Sequence, residues 1–254
     1  GLSGIRAAEV DAMGQAVKPR LPWLLVAVLA MVALLHLAFA RVTPGLGELL
    51  EWLFAWTGAT EAVSEQDRFV FASIRTPRVL VAVFGGAALA LAGTVMQATF
   101  RNPLASPDII GTAAGAAFGG AIAIVAGWSQ ASVVLTPLAA LAGAVGVTSL
   151  VFTLAGSHGR FSVANLLLAG IALNTLFGAL TSFVVTMAFS NYTASSQVLF
   201  WLMGGLDNRT WDHALITAGG FGLFAMLILP RVRELDLLTL RDDSAHSLGV
   251  DAAR

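Results

Sequence analysis

The sequence is poor in charge and contains no thiol. Charged residues make up 11% of the 254 residues and hydrophobic residues 57%. Soluble domains carry roughly a quarter charged residues, so lipid is the expected solvent of this chain. The absence of cysteine excludes disulfides, thiolate metal sites and cysteine nucleophiles. The formal net charge of −1 provides no basic surface, which excludes nucleic acid as a partner.

The sequence also lacks the residues that catalysis and ion coupling require. Lysine occurs once, at Lys18, and follows no glycine-rich loop, so the chain has no P-loop for ATP hydrolysis. No paired carboxylates, nucleophile motif or metal-ligand cluster is present, which argues against an enzyme. Acidic residues are absent from the apolar stretches, where Asp108 and Asp212 stand only at the ends. A proton-coupled carrier usually needs buried carboxylates, so this class is disfavoured.

Long apolar stretches are the main positive feature. A helix crosses a bilayer with about 20 residues, and six stretches are long enough. Lipid offers the backbone no hydrogen-bond partner, so these stretches predict an all-α, polytopic transmembrane bundle. The six predicted spans are 21–40, 79–98, 109–127, 131–155, 163–189 and 213–230.

Small residues spaced four apart predict close contacts between these helices. Residues at that spacing share one helical face, and small side chains let two backbones approach. We interpret these positions as packing surfaces rather than as cargo contacts. They form two sets, Gly111, Gly115 and Gly119 in one span and Gly170, Asn174 and Gly178 in another.

The positive charges predict the orientation of the chain. With residues 1–20 in the cytoplasm, nine Lys and Arg residues fall inside and five outside. We therefore expect a cytoplasmic tail at 1–20, a membrane domain at 21–230 and a cytoplasmic segment at 231–254. Within the membrane domain, residues 41–74 form an external loop whose leucines recur at helical spacing, which indicates a helix at the membrane interface.

Two polar stretches contain more charged residues, prolines and leucines than simple connections between helices require. The first contains Arg75-Thr76-Pro77-Arg78 and, after Gln97, reads F-R-N-P-L-A-S-P-D-I-I-G from Phe100 to Gly111. Its prolines and Asn102 predict a rigid turn. The second is the segment 231–254, which keeps several leucines in a polar context and therefore indicates docking onto a partner or onto further parts of the protein.

At these residues the chain closely resembles the iron-siderophore, haem and cobalamin (FecCD/BtuC-type) permeases of ABC importers. The resemblance runs in matching order from about residue 22 to the end. Three further motifs contribute to it: Leu166-Leu167-Leu168-Ala169-Gly170, Trp201-Leu202-Met203-Gly204-Gly205, and D-D-S-A-H-S-L-G-V from Asp242 to Val250.

The resemblance implies a type II ABC importer permease with ten transmembrane helices, of which this chain is expected to hold six. Such permeases work as homodimers, or with a paired homologue, and the translocation path lies between the two copies. Two ATPase subunits bind on the cytoplasmic side, and an extracytoplasmic substrate-binding protein docks on the other. The permease itself binds no cofactor, since ATP is held by the partner subunits. The implied location is the bacterial cytoplasmic membrane.

The resemblance also implies roles for individual residues. Arg75 and Arg78 would meet acidic side chains of the binding protein, and the alternative is anchoring to lipid headgroups. Asn102 and Leu104 would form one part of a cytoplasmic gate, with Val163 and Ala164 as the other. Hydroxyl residues are often expected at the latter pair, so the chain departs from the family there. Ordinary turn and packing chemistry is the alternative for all four.

The segment after residue 235 resembles the helices that couple a permease to its ATPase. The candidate contacts fit a groove on the partner by the logic of a helix with an apolar face, and a solvated loop is the alternative. These candidates are Leu240, Asp242, Ala245, Leu248 and Gly249.

The sequence therefore predicts the permease subunit of an ATP-driven importer that carries a metal chelate by alternating access. The motif N-P-L-A-S-P-D-I favours iron siderophores, with haem or cobalamin as the alternative cargo. A secondary transporter or channel is a further alternative, and so is an anchoring membrane protein. Neither would explain the coupling-like segment.

Overall fold

The computed structural model describes residues 21–39, 65–156 and 162–239. These residues are almost entirely helical and include no strand, which confirms the all-α prediction. The coupling candidates from Leu240 to Gly249 lie outside the described residues, as does most of the predicted external loop. The chain divides into two compact units, Gly1–Val79 and Leu80–Arg254.

The first unit contains an apolar helix and a π-helical segment. Helix α1 (Leu21–Phe39) exposes its large apolar side chains from Trp23 to Leu35 by 43–75%, as a lipid-facing helix would. A short helix α2 (Glu65–Phe69) leads into the π-helix Val70–Arg75. There the Thr76 hydroxyl donates to the carbonyl oxygen of Phe71, five residues earlier, at 2.7 Å.

The longer helices follow in chain order. Helix α3 (Thr76–Phe100) ends at the turn that the prolines predict. After it come a 3-10 helix (Pro107–Ile110) and α4 (Thr112–Val125), α5 (Trp128–Ala131), α6 (Leu135–Gly156), α7 (Val163–Ala188), α8 (Tyr192–Met203) and α9 (Trp211–Ile228). A second 3-10 helix (Leu229–Arg231) joins α9 to the strongly amphipathic α10 (Val232–Thr239).

Within the described ranges, four helical stretches are long and apolar enough to cross a membrane: Val70–Phe100, Leu135–Gly156, Val163–Ala188 and Trp211–Asp236. The predicted spans 21–40 and 109–127 correspond to shorter apolar helices. In the second case the cause is Gly111, whose φ of 81° ends the 3-10 helix and begins α4. A left-handed residue interrupts α-helical hydrogen bonding, so the apolar run is divided and α4 keeps 14 residues.

Helix α8 lies in a segment for which the sequence predicted no helix. Asn191 begins it by accepting hydrogen bonds from the backbone N–H groups of Thr193 (3.1 Å) and Ala194 (3.3 Å). Gly204, with a φ of 71°, ends it in the usual left-handed conformation. The Trp-Leu-Met-Gly-Gly motif is therefore the C-terminal end of a short helix between the two longer helices α7 and α9.

Helices α4 and α6 are in close backbone contact in the second unit. A Cβ atom at Gly143 would overlap the carbonyl oxygen of Gly115, and one at Gly115 would overlap that of Gly143. The two backbones therefore touch, as the spacing of the small residues predicts. Gly178, by contrast, has no neighbour at the place where its Cβ would stand, so that part of the predicted packing surface makes no contact in this chain.

Two buried apolar clusters flank this contact. The first consists of Val147, Val151, Ala155, Leu166 and Leu173, and joins α6 to α7. The second joins α4 to α8 through Ala121, Ile124 and Val198. Because α4 takes part in the glycine contact and in the second cluster, its position fixes α6 and α8 together.

We predict that Gly143→Ala destabilises the protein, because the added methyl group must push α4 and α6 apart. Overpacking of this kind costs about 1–3 kcal/mol. Gly146→Ala is the matched control on the same helix, since its Cβ would meet no atom within 4 Å. Thermal unfolding of the full-length protein in detergent is the measurement. Equal midpoints for the two variants would contradict the contact.

Candidate functional site

The turn after α3 presents the first pair of predicted gate residues. The side-chain oxygen of Asn102 accepts the backbone N–H of Leu104 at 2.9 Å, and the Asn102 carbonyl accepts that of Ala105 at 3.0 Å. Arg101 adopts a left-handed conformation with a φ of 49°. These bonds hold Leu104 outward, 84% exposed. Asn102 therefore shapes the turn, and Leu104 is the residue that the turn displays.

The 3-10 helix that follows the turn is attached to α7. The side-chain amide of Asn174 donates to the carbonyl oxygen of Asp108 at 2.8 Å. One helical turn earlier, a Cβ at Gly170 would overlap the carbonyl oxygen of Ile109. Gly170 closes the Leu-Leu-Leu-Ala-Gly motif, so this motif provides the flat surface against which the 3-10 helix lies. The sequence indicated packing at both residues but not this partner.

The second pair of predicted gate residues begins α7. Ser162 caps the helix by accepting the backbone N–H of Asn165 at 3.1 Å, and this places Val163 and Ala164 in the exposed first turn. Both predicted gate segments lie at the same end of the helices, since Phe100 packs against the cluster that contains Leu166. Their role as a gate stays a prediction.

A cavity of about 390 Å³ separates the turn from α10. Gln97, Arg101 and Asn102 line it from the turn, and Val232, Leu235 and Asp236 line it from α10. We call it the inner cavity. It places the predicted gate next to the helix that leads into the predicted coupling segment, a neighbourhood that only the folded chain reveals.

The two predicted docking arginines differ from each other in burial. Arg75 is 2% exposed, and its guanidinium lies over the ring of Phe71 with 4.9 Å to the centroid. Arg78 is half-buried. Arg75 would have to leave the Phe71 ring before it could pair with another protein, whereas Arg78 is partly exposed although its Nε is buried. The docking assignment stays a prediction for both.

Among residues 21–39, 65–156 and 162–239, no group of three or more His, Asp or Glu side chains is arranged to hold a metal ion. The chemistry available at the inner end is therefore that of hydrogen bonding, charge and packing.

We predict that Gly170→Ala moves the 3-10 helix away from α7 and weakens the Asn174–Asp108 hydrogen bond. The expected loss of stability is about 1–3 kcal/mol, because the methyl group meets backbone that cannot move alone. Gly178→Ala, two turns along the same helix, meets no atom within 4 Å and is the control. Thermal unfolding of the full-length protein compares the two. A stable Gly170→Ala protein would mean that α7 does not hold this turn.

Comparison with known proteins gives a consistent result. The model of the FecCD transport family matches residues 25–254. A cobalamin import permease of Halobacterium salinarum is 36% identical over 76% of the chain and 51% of its own length. A haemin transport permease of Yersinia pestis is 36% identical over 94% of the chain and 69% of its own length. A molybdate import permease of Haemophilus influenzae is 34% identical over 92% of the chain and 68% of its own length.

A solved structure also resembles the chain. It is an inward-facing conformation of a metal-chelate type ABC transporter, with a TM-score of 0.73 and 30% sequence identity. The similarity covers 93% of this chain and 70% of that one. The chain thus spans between about half and about 70% of the length of the proteins that it matches.

Proposed function

The chain belongs to the FecCD transport family, and on that premise we propose that it is the membrane permease subunit of an ATP-driven importer of iron–siderophore complexes. The observation that carries the proposal is the family match over residues 25–254, which includes every polar motif of the sequence in order. The sequence has no P-loop, so the ATP is hydrolysed on a separate partner and this chain is not an enzyme.

The choice of cargo within the family rests on a narrower observation. The turn motif N-P-L-A-S-P-D-I is the part of the sequence that favours siderophores. Relatives are named for cobalamin, haemin and molybdate, and the similar structure is of metal-chelate type. Haem and cobalamin are the alternative cargoes. A substrate-binding protein outside the membrane makes the first selection, and no cofactor is held by the permease.

The inner cavity suggests how the ATPase would act on the pathway. The proposed coupling residues follow α10 directly, and α10 faces the turn that displays Leu104 across the cavity. A movement of the coupling segment would change the distance between α10 and the turn. Because the 3-10 helix is attached to α7, the same movement would reach Val163 and Ala164. Two such subunits, rocking together, would give alternating access.

The external face would receive the binding protein. Arg78 is the better placed of the two candidate arginines, since it is partly exposed whereas Arg75 is buried. An arginine at this position pairs with a carboxylate through two parallel hydrogen bonds. Such charge pairs steer association and fix the orientation of the two proteins.

The proposed orientation can be tested with a single thiol, because residues 1–254 contain no cysteine. In a full-length protein freed of any other thiol, we predict that Leu104→Cys reacts with a membrane-impermeant maleimide only from the cytoplasmic side. Leu104 is displayed on the turn, so the reaction should be fast. Ser132→Cys, between α5 and α6, is the opposite control and should react only from outside. The reverse pattern would overturn the N-in topology.

Uptake tests the transport function itself. Deletion of the full-length gene should abolish the uptake of one labelled ferric siderophore, and the intact gene should restore it. Uptake of haem and cobalamin is measured in the same strains, since loss of either instead would replace the siderophore assignment. Copurification of an ATPase with the tagged protein is the second readout. Normal uptake of all three cargoes and no ATPase partner would contradict the importer.

A further inference from the structure

A second cavity of about 390 Å³ lies at the opposite end of the helices from the predicted gate. It is open on one side. Its walls are the end of α4, α5 and the start of α6, together with α8 and the connection to α9. We call it the outer cavity. Its volume falls in the range of roughly 300–1,000 Å³ typical of small-molecule sites. Trp201 of the Trp-Leu-Met-Gly-Gly motif is among the residues that line it.

The wall of the outer cavity is rich in hydrogen-bond donors. Polar side chains come from each of the surrounding segments and stand among apolar ones such as Ile124 and Phe200. In addition to His213, the polar residues are Ser129, Thr136, Ser196, Gln197, Asn208 and Arg209. The hydroxyl of Ser129 donates to the amide oxygen of Gln197 at 3.4 Å, which leaves the amide N–H groups of Gln197 for another acceptor.

Arg209 supplies the positive charge and is held in place. Its Nη2 donates to the carbonyl oxygen of Gly205 at 2.8 Å, and its guanidinium lies 5.8 Å from the centroid of the Phe200 ring. That hydrogen bond occupies one of the five N–H groups of the side chain. Partial burial lowers the pKa of Arg209 and the nearby Asp207 raises it, and an arginine remains charged at neutral pH.

The ring of His213 is fixed as well. Its Nδ1 accepts the backbone N–H of Thr210 at 3.2 Å and lies 2.9 Å from the Thr210 hydroxyl oxygen, which donates to Nδ1 in the same tautomer. In the neutral ring the hydrogen is therefore on Nε2, which is a donor. The Asp207 and Asp212 carboxylates act on Arg209 and His213 electrostatically, but neither lines the cavity. Within the described part of the chain, the charged group on this wall is a cation.

From this arrangement we propose that the outer cavity is a binding site for the carboxylate group of a small acidic molecule. The guanidinium of Arg209 and the amide of Gln197 would donate to the two carboxylate oxygens, with His213 Nε2 as a further donor. A guanidinium is suited to this because its N–H groups match the spacing of carboxylate oxygens. A metal cation would find no anionic ligand on this wall. The proposal is independent of the transported cargo.

The test uses the full-length protein in nanodiscs of zwitterionic lipid, with citrate as the probe and calorimetry as the measurement. Wild-type protein should bind citrate, and Arg209→Gln should weaken binding by roughly tenfold or more, the usual loss for a charged hydrogen bond. Arg231→Gln is the matched control. Arg231 also donates to the carbonyl oxygen four residues earlier, Leu227, at 2.8 Å, but it lies at the other end of α9.

A second variant separates binding from folding. Gln197→Ala should also weaken citrate binding, and both variants should keep the thermal midpoint of the Arg231→Gln protein. No binding by the wild type at 10 mM citrate would overturn the proposal, as would equal weakening in the Arg231→Gln control. The titration is repeated in nanodiscs with an anionic phospholipid. Loss of citrate binding there would assign the cavity to a lipid phosphate and overturn the assignment to a soluble carboxylate. Transport does not enter these measurements, so their failure would leave the proposed import function standing.

Discussion

The described part of the structure depends on places where one backbone touches another without an intervening side chain. In a bilayer, moving an apolar side chain from lipid to a helix interface yields no hydrophobic free energy. Close packing and hydrogen bonds must therefore hold the helices together. Gly143 meets Gly115 between α4 and α6, and Gly170 meets Ile109 between α7 and the 3-10 helix. The first contact orders α4, α6 and α8. The second sets where the turn with Leu104 stands, so the geometry of the candidate gate follows from a glycine on another helix.

This dependence explains why two motifs that are far apart in the sequence belong together. The stretch from Phe100 to Gly111 builds a turn and a 3-10 helix, and the Leu-Leu-Leu-Ala-Gly motif provides the surface on which that 3-10 helix lies. Asn174 adds the hydrogen bond that keeps the register, because its amide recognises one carbonyl oxygen. A rigid pair of this kind would transmit movement as one body, which suits the proposed path from the coupling segment to the gate.

The sequence predicted the long helices but neither the short helix α8 nor the break before α4, and the reason is physical. Uniform apolar runs determine α3, α6, α7 and α9, because lipid allows such a run hardly any other conformation. Helix α8 depends on the cap at Asn191 and on the left-handed Gly204, and the division before α4 depends on the backbone of Gly111. Such details are local, and hydropathy averages over them. The partners of Gly170 and the walls of both cavities depend on tertiary contacts, which spacing along one helix does not contain. The same limit explains why Gly178 follows the pattern and makes no contact.

The close contacts also limit where a bulky cargo could pass. Between α4 and α6 the backbones touch, so a route for the proposed cargo cannot run between them without separating these two helices. The buried clusters close the spaces beside α7 and α8 in the same way. Exposed apolar surface remains on the outer faces, as at Leu168, Ile171 and Phe183 of α7. A pathway along such a face would need a second wall, which the proposed second permease copy would provide.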